Sequence, residues 1–215
     1  NFPQGTFADM VTDVETAIEW IVDNVGLFGG DPEKITLVGQ SAGAHIASFV
    51  MLNRHKSKVG SWTVEKNIKN FVGVSGPYDI VSIAPILNKR GLYTHVLKSV
   101  MNDNFFNVSP SRIVVPLLNF PPILLLHGTA DLSVPFDSSV KFHETLANNG
   151  YTDTTLELWQ NIGHSDPIVE GPAEGRNYLP MRITQICYPE EPPKIHSKPI
   201  MNSFMVRIAK FFMPF

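Results

Sequence analysis

The chain has 215 residues and a formal net charge of −3, with 43% hydrophobic and 17% charged residues. This length suits one domain or most of a larger one, and the apolar content excludes a disordered chain. The negative charge argues against nucleic-acid binding, because nucleic-acid-binding proteins usually carry a basic face. The single cysteine, Cys187, excludes an internal disulfide framework and a four-cysteine zinc site, and no apolar run has the length of a membrane-spanning helix.

The first half of the chain predicts helices and strands in alternation. Apolar residues at helical spacing predict an amphipathic helix over residues 8–25, with Thr6 or Asp9 as its N-cap. A short β-branched run predicts a buried strand over 35–38, and a helix over 42–53 follows at once. A second apolar run predicts a strand over 70–74.

The second half continues the same alternation after a region of mixed pattern. Residues 78–120 are predicted to form helical excursions joined by loops, ending at a Pro-Pro pair. Further along come a predicted buried strand at 123–126, a helix at about 136–148, a strand at 154–159, a loop through 175, a helix around 176–187, a proline-rich stretch at 189–199 and an apolar segment at 201–215.

Apolar strands that alternate with amphipathic helices predict parallel βαβ units and therefore an α/β protein. Right-handed crossovers bring the carboxyl ends of parallel strands to one edge of the sheet, where loops form sites. In this sequence those loops are predicted to lie at 39–43, 75–78, 127–131 and 163–166.

The motif Gly39-Gln40-Ser41-Ala42-Gly43 lies between a predicted strand and a predicted helix. In that context G-x-S-x-G is typical of a nucleophile elbow, a strained turn that exposes the serine hydroxyl. We expect glycine at both ends of the motif because the strand and the helix pack closely there. The N–H of Ala42, at the helix N-terminus, is the expected oxyanion donor. The alternative interpretation is an ordinary tight turn between a strand and a helix.

A serine nucleophile needs a general base, and the base needs a carboxylate that orients it. The hydrolase elbow predicts the chain order serine, acid, histidine. Asp131 follows the strand predicted at 123–126, and His164 follows the strand predicted at 154–159. We therefore predict Ser41, Asp131 and His164 as the catalytic residues.

Other histidines and carboxylates leave alternatives open. Asp166 is the second candidate for the acid, although its closeness to His164 favours a loop-structuring role, and Asp79 is the third. His127 is expected to be a structural histidine bonded to the backbone, and His45 to serve in packing beside the site. The histidines predicted to lie on helix or loop surfaces without a companion carboxylate are His55, His95, His143 and His196.

Residues 28–43, FGGDPEKITLVGQSAG, resemble the carboxylesterase signature of the α/β-hydrolase superfamily. More narrowly, the chain resembles the prenylcysteine (isoprenylcysteine) methylesterases. This resemblance implies an α/β-hydrolase fold, a mostly parallel sheet with helices on both faces, over 1–215, with a cap-like excursion at about 78–120. The supporting stretches are NFPQGT at 1–6, GQSAGAHIAS at 39–48, RGLY at 90–93, PPILLLHGTADLSVP at 121–135 and SFMVRIAKFFMPF at 203–215.

The resemblance implies hydrolysis of the carboxyl methyl ester of a prenylated cysteine through an acyl-enzyme. Ser41 would attack the ester, His164 would act as its base and Asp131 would orient the imidazole. The resemblance implies no metal and no organic cofactor. It also implies an association with the membranes of the endoplasmic reticulum or Golgi; without it, a cytoplasmic location is expected.

The substrate implied by the resemblance is a small-molecule or lipid-modified ester, which needs an apolar groove. Gln40, beside the nucleophile, and Tyr93 and Phe105, in the excursion, are the candidate substrate-binding residues. The excursion has an alternative role as a cap packed on the core. The final segment at 201–215 is expected either to dock on the core or to lie at a membrane surface.

In the family the second oxyanion donor comes from an HGG-type loop, and this sequence contains no HGG. Gly29-Gly30 precede the nucleophile strand and therefore lie at its opposite end. The resemblance implies that the HGG loop lies upstream of the NFPQG segment. Only four strands are predicted, so the resemblance further implies that N-terminal strands of the hydrolase sheet are missing and that the protein extends beyond Asn1.

Two other functions remain open at this point. A general carboxylesterase or an arylformamidase-like hydrolase would use the same three residues on another substrate. A hydrolase-fold protein that binds partners without catalysis is the third possibility; an intact Ser41, Asp131 and His164 argue against it, whereas the missing HGG loop argues mildly for it.

Overall fold

A computed structural model describes residues 2–57, 60–114, 116–190 and 198–212, without the side chains of residues 56, 57 and 210–212. Within these residues, four parallel strands form one sheet in sequence order. This arrangement confirms the α/β class and the four predicted strands. The strands are β1 (Ile35–Gln40), β2 (Ile68–Val74), β3 (Ile123–Gly128) and β4 (Thr154–Trp159).

The strand register brings all four carboxyl ends to one edge of the sheet. Gln40 pairs with Val74, and Val74 in turn pairs with Leu126. The ladder continues one residue into each loop: Ser41 N–H donates to Val74 O at 2.8 Å, and Ser75 N–H donates to Leu126 O at 2.8 Å. The loop that follows each strand is therefore held in register with its neighbour.

Helices connect the strands, and most lie where the sequence predicts them. The first begins after Thr6, which is its N-cap. Two short helices, the third and the seventh, lie where the sequence predicts none. The helices are α1 (Phe7–Asn24), α2 (Ala42–Ser57), α3 (Val64–Asn67), α4 (Ile80–Lys89), α5 (Thr94–Val100), α6 (Asp137–Asn148), α7 (Glu170–Ala173), α8 (Tyr178–Cys187) and α9 (Ser203–Phe212).

Both faces of the sheet are covered, which explains why the strands read as continuous apolar runs. On one face, Phe71 and Leu125 pack with residues of α1, α2 and α6. On the other face, Val72, Leu124 and Leu126 pack with the helix α8. The prediction of helices on both faces is confirmed.

The region between β2 and β3 contains α4, α5 and a 3₁₀ turn at Pro110–Arg112, as the mixed pattern predicts. Its apolar side chains form a cluster of their own with Phe7 and Val134. Phe7 opens α1 and Val134 lies in the loop after β3, so this region packs beside the carboxyl edge of the sheet.

The final helix α9 docks through Val206, which is buried, whereas Phe204, Met205 and Ile208 on its other side are exposed. The proline-rich stretch falls partly outside the described residues, as do His196 and the last three residues. Across the described parts of the chain, no helix combines the length and apolarity needed to cross a membrane.

Candidate active site

Ser41 occupies a strained turn between β1 and α2. Its φ is +54°, a left-handed conformation that non-glycine residues rarely adopt. Its N–H donates to Val74 O, and its carbonyl accepts from the N–H groups of Ala44 (3.0 Å) and His45 (3.2 Å). These bonds hold the turn on both sides, so the strain is fixed by the strand and helix that flank it.

The two glycines of the motif have different surroundings. A Cβ at Gly39 would lie 2.6 Å from Gly43 O and 2.7 Å from Ala44 N, both backbone atoms of α2. Glycine at position 39 is therefore required by the close packing of strand and helix. A Cβ at Gly43 would meet nothing within 4 Å in the described chain. The expectation that close packing requires glycine at position 43 is therefore wrong.

The structure brings the three predicted catalytic residues together. Ser41 Oγ lies 2.9 Å from His164 Nε2, and His164 Nδ1 lies 2.7 Å from Asp131 Oδ2. The Asp131 side chain is fully buried, and the His164 side chain is 13% exposed. Residues 123 positions apart in the chain thus meet because β1, β3 and β4 end at the same edge.

The hydrogen bonds assign the tautomer of His164. Its Nδ1 faces a carboxylate, which only accepts, so Nδ1 carries the proton. Its Nε2 is then free to accept from the Ser41 hydroxyl. This arrangement prepares His164 to remove a proton from Ser41, as a general base does.

The Asp131 carboxylate is held by several donors in the loop after β3. Its Oδ1 accepts from the N–H groups of Ser133 and Val134, each at 2.8 Å. Burial would raise the pKa of this carboxyl, but the hydrogen bonds from His127, His164 and Val134 outweigh burial and hold the pKa well below its ordinary range. Asp131 is therefore ionised at neutral pH.

Ala42 opens α2, a helix of 16 residues. The first N–H groups of a helix have no partner within the helix, and the dipole makes that end positive. The predicted oxyanion donor therefore lies at a helix N-terminus, directly after Ser41. Gly29 and Gly30 precede β1, at the opposite end of the strand from Ser41.

The two alternative acids serve local structure instead. Asp166 is buried, accepts from Gly163 N–H at 2.7 Å and lies 3.8 Å from Arg176, so it shapes the loop that carries His164. Asp79 caps α4, and both of its oxygens bond the Arg112 guanidinium, at 2.8 and 2.9 Å.

The other histidines lie in varied settings. His45 is buried, its Nδ1 lies 2.7 Å from Pro77 O, and burial lowers its pKa to about 4. His55 was expected at the surface without a carboxylate, and this is wrong: it is 9% exposed and its Nδ1 lies 2.6 Å from Glu65 Oε1. His143 bonds Thr154 O, and His95 stacks on Tyr93.

The three candidate substrate-binding residues are placed differently. The Gln40 amide nitrogen lies 3.4 Å from His164 Nε2 and donates to His164 O at 3.3 Å. Gln40 is therefore beside the triad formed by Ser41, His164 and Asp131. Tyr93 is exposed and stacks on His95, whereas Phe105 packs into the cluster beside α4 and α5. No hydrogen bond or ring contact described for the chain joins Tyr93 or Phe105 to the triad.

His127 is bonded to a backbone carbonyl, which confirms the prediction of a structural histidine. Its second contact, with the Asp131 carboxylate, is not predicted from the sequence. His127, the penultimate residue of β3, places Nε2 3.2 Å from Asp131 Oδ2 as well as 2.9 Å from Val134 O. The signal that could have found this contact is the position of His127 at the strand end, four residues before Asp131.

The described residues contain no group of three or more acidic, histidine or cysteine side chains arranged to hold a metal ion.

Comparisons with curated proteins find relatives that are named as methylesterases. The isoprenylcysteine alpha-carbonyl methylesterase ICME of Arabidopsis thaliana is 34% identical over 238 aligned positions, which cover all of this chain and 55% of that protein. A probable isoprenylcysteine alpha-carbonyl methylesterase of Oryza sativa subsp. japonica is 37% identical, over 81% of this chain and 44% of its own. The chain thus spans about half the length of the curated relatives it matches.

Solved structures show the same fold. Esterase B from Lactobacillus rhamnosis superposes with a TM-score of 0.69 at 18% identity, over 88% of this chain and 65% of that one. A thermophilic esterase from Thermogutta terrifontis gives a TM-score of 0.62 at 21% identity, over 89% and 68%. These likenesses establish the α/β-hydrolase fold. A family model described as BD-FAE matches residues 2–146, more than half of the chain, and the chain therefore belongs to the BD-FAE family.

Proposed function

We propose that this chain carries the catalytic centre of a serine carboxylic ester hydrolase that cleaves the methyl ester of a prenylated cysteine. The observation that carries the proposal is the bonded series from Ser41 Oγ through His164 to the buried Asp131 carboxylate. The substrate class rests on relatives named isoprenylcysteine methylesterases, one of which matches the whole length of this chain.

In the proposed acylation step, Ser41 Oγ bonds to the ester carbonyl carbon while its proton passes to His164 Nε2. Asp131 holds the imidazole in the required tautomer and stabilises the imidazolium that forms. The Ala42 N–H donates to the oxygen that becomes negative, with help from the α2 dipole. His164 then returns the proton to the departing methoxide, which leaves as methanol.

Deacylation in this scheme repeats the same steps with water. His164 takes a proton from a water molecule, whose oxygen attacks the acyl carbon, and the Ser41–acyl bond breaks as Ser41 recovers the proton. The products are the original serine and a carboxylic acid, which ionises by releasing its proton to solvent. Water is the co-reactant that balances this reaction.

The prenyl chain of such a substrate needs an apolar surface near the elbow. A cavity of about 360 Å³ between α1, α2 and the segment after α5 is lined by Phe7, Phe49, Met101 and Val108. Phe7 packs edge-on against His45, one helical turn beyond Ser41. We assign this cavity to the substrate. Phe105, in the adjoining cluster, Gln40 and Tyr93 are the other candidate contacts, and residues 78–120 are assigned as the cap over the site.

A prenylated substrate partitions into membranes, so the proposed enzyme works at a membrane surface. The exposed side chains Phe204, Met205 and Ile208 on α9 are the proposed points of contact.

Fluorophosphonate labelling tests the proposed nucleophile. Wild-type protein should become covalently labelled, and Ser41→Ala should not, with an unchanged circular dichroism spectrum. Ser61→Ala is the matched control, because Ser61 is an exposed serine bonded to Glu19 and should not alter labelling. Labelling that persists in Ser41→Ala would contradict the proposal.

Substrate profiling separates the proposed reaction from a general carboxylesterase. The proposal expects a higher kcat/KM for S-farnesylcysteine methyl ester than for p-nitrophenyl acetate. The reverse order would favour the general carboxylesterase, with the same three residues in the same roles.

A further inference from the structure

His127 is a second imidazole beside the Asp131 carboxylate. Its Nε2 lies 3.2 Å from Asp131 Oδ2, the same oxygen that accepts from His164 Nδ1 at 2.7 Å. The side chains of His127 and Asp131 are both fully buried. A single carboxylate oxygen therefore lies between two imidazoles, only one of which touches the nucleophile.

The surrounding acceptors fix the proton on His127. Its Nε2 faces Val134 O at 2.9 Å and Asp131 Oδ2, both of which only accept, so Nε2 carries a proton. Its Nδ1 faces Ser139 Oγ at 2.7 Å, and a hydroxyl can donate. The neutral Nε2–H tautomer, with Ser139 donating to Nδ1, satisfies every contact in this group.

The carboxylate of Asp131 is saturated only when His127 is counted. Its Oδ1 accepts from two backbone N–H groups, and its Oδ2 accepts from His164 Nδ1–H and lies 3.2 Å from His127 Nε2, whose single N–H is shared with Val134 O. These four donors match the four lone-pair positions of an ionised carboxylate. Because the side chain is fully buried, a lost donor would leave a charged acceptor unsatisfied.

We propose that His127 is a positioning residue of the active site. Its Nε2–H holds Asp131 Oδ2 at His164, and Ser139, by donating to Nδ1, keeps the proton of His127 on Nε2. This inference rests on the proposed function for its kinetic consequence only. Without the His127 donor, Asp131 Oδ2 is held by His164 alone while Oδ1 keeps its two backbone donors, and the bond that orients His164 weakens. His127 itself touches neither Ser41 nor substrate.

Two substitutions at position 127 separate positioning from packing. His127→Leu removes the donor, whereas His127→Gln keeps an N–H near the position of Nε2. His127→Leu should lower the maximal rate of fluorophosphonate labelling roughly 10- to 100-fold, the effect of one lost hydrogen bond to a charged group. The inhibitor concentration for half-maximal rate should not change, and His127→Gln should recover most of the rate.

Two further variants act as partner test and control. Ser139→Ala leaves His127 in place but removes the group that donates to its Nδ1, so it should give a smaller loss of the same kind. His143→Phe is the matched control, because His143 also bonds a backbone carbonyl, Thr154 O at 3.3 Å, without touching Asp131. Its labelling rate should equal that of the wild type.

A direct measurement keeps the test independent of activity. The His164 Nδ1 proton, bonded to a buried carboxylate, should give a downfield ¹H NMR signal in the wild type. That signal should be lost or broadened in His127→Leu and kept in His127→Gln, in proteins with unchanged circular dichroism spectra. An unchanged signal in His127→Leu, or equal loss in both variants, would overturn the positioning role. Absence of labelling in the wild type with the NMR pattern intact would instead contradict the proposed hydrolase activity.

Discussion

Replacing Gly39 by alanine should damage the elbow, whereas the same change at Gly43 should not. The new Cβ would lie 2.6–2.7 Å from backbone atoms of Gly43 and Ala44, and reaching an ordinary contact of 3.4 Å requires a shift of about 0.7–0.8 Å. Backbone cannot rotate away as a side chain can, so β1 and α2 must separate. Overpacking of this kind costs about 1–3 kcal/mol, and a 1 Å misplacement at a catalytic centre costs about 100-fold in rate.

Thermal unfolding and labelling measure these two effects on one protein. Gly39→Ala should lower Tm by about 2–12 °C for a domain of this size and slow fluorophosphonate labelling at least about tenfold. Gly43→Ala is the matched control: its Cβ meets nothing within 4 Å, and alanine in a helix is up to about 1 kcal/mol more favourable than glycine. Equal unfolding free energies for the two variants would refute the packing argument.

Three other substitutions test the electrostatics of the site and its surroundings. His45, whose folded pKa is about 4, stays neutral where the unfolded chain binds a proton, so stability should fall by up to about 3 kcal/mol as pH drops from 6.5 to 4. His45→Asn should remove that part of the pH dependence in denaturant unfolding, and an unchanged slope would contradict the burial argument. Asp79→Ala should cost about 1 kcal/mol as a lost cap without slowing labelling, whereas Asp131→Asn should slow labelling about 10⁴-fold; the reverse pattern would make Asp79 the acid.

The sequence was sufficient to predict the sheet and the meeting of Ser41, Asp131 and His164, because both depend on local patterns. Buried parallel strands appear as short apolar runs, and each of these three residues lies in the loop after one of them. Once the order of strands was assumed, Ser41, Asp131 and His164 could lie only at the same edge. The chain order of the hydrolase elbow then selected among the remaining carboxylates and histidines.

The features that escaped prediction depend on contacts between distant segments. His55 meets Glu65 because α3 packs against the end of α2. The helix α3 has only four residues, which is too short to show a helical periodicity in the sequence. Gly39 and Gly43 stand at equivalent places in the motif, two residues on either side of Ser41. An added Cβ would nevertheless meet backbone atoms only at Gly39. The backbone bond of His127 is predicted from its position at the strand end, but its contacts with Asp131 and with Ser139 on α6 depend on how the loop after β3 folds.

Hydrogen bonds between the loops and the neighbouring strands, in addition to the strand pairing, hold the three residues of the triad in place. Ser41 N–H donates to Val74 O, Ser75 N–H to Leu126 O, and Thr129 N–H to Trp159 O at 2.9 Å. Each bond joins the residue that follows one strand to a carbonyl near the carboxyl end of the next strand, so the loops of Ser41, Asp131 and His164 form one connected row. Ser75 shares the left-handed backbone of Ser41, with φ +51°. Because these bonds link the two strained turns, a disturbance at Ser75 should reach Ser41 through Val74.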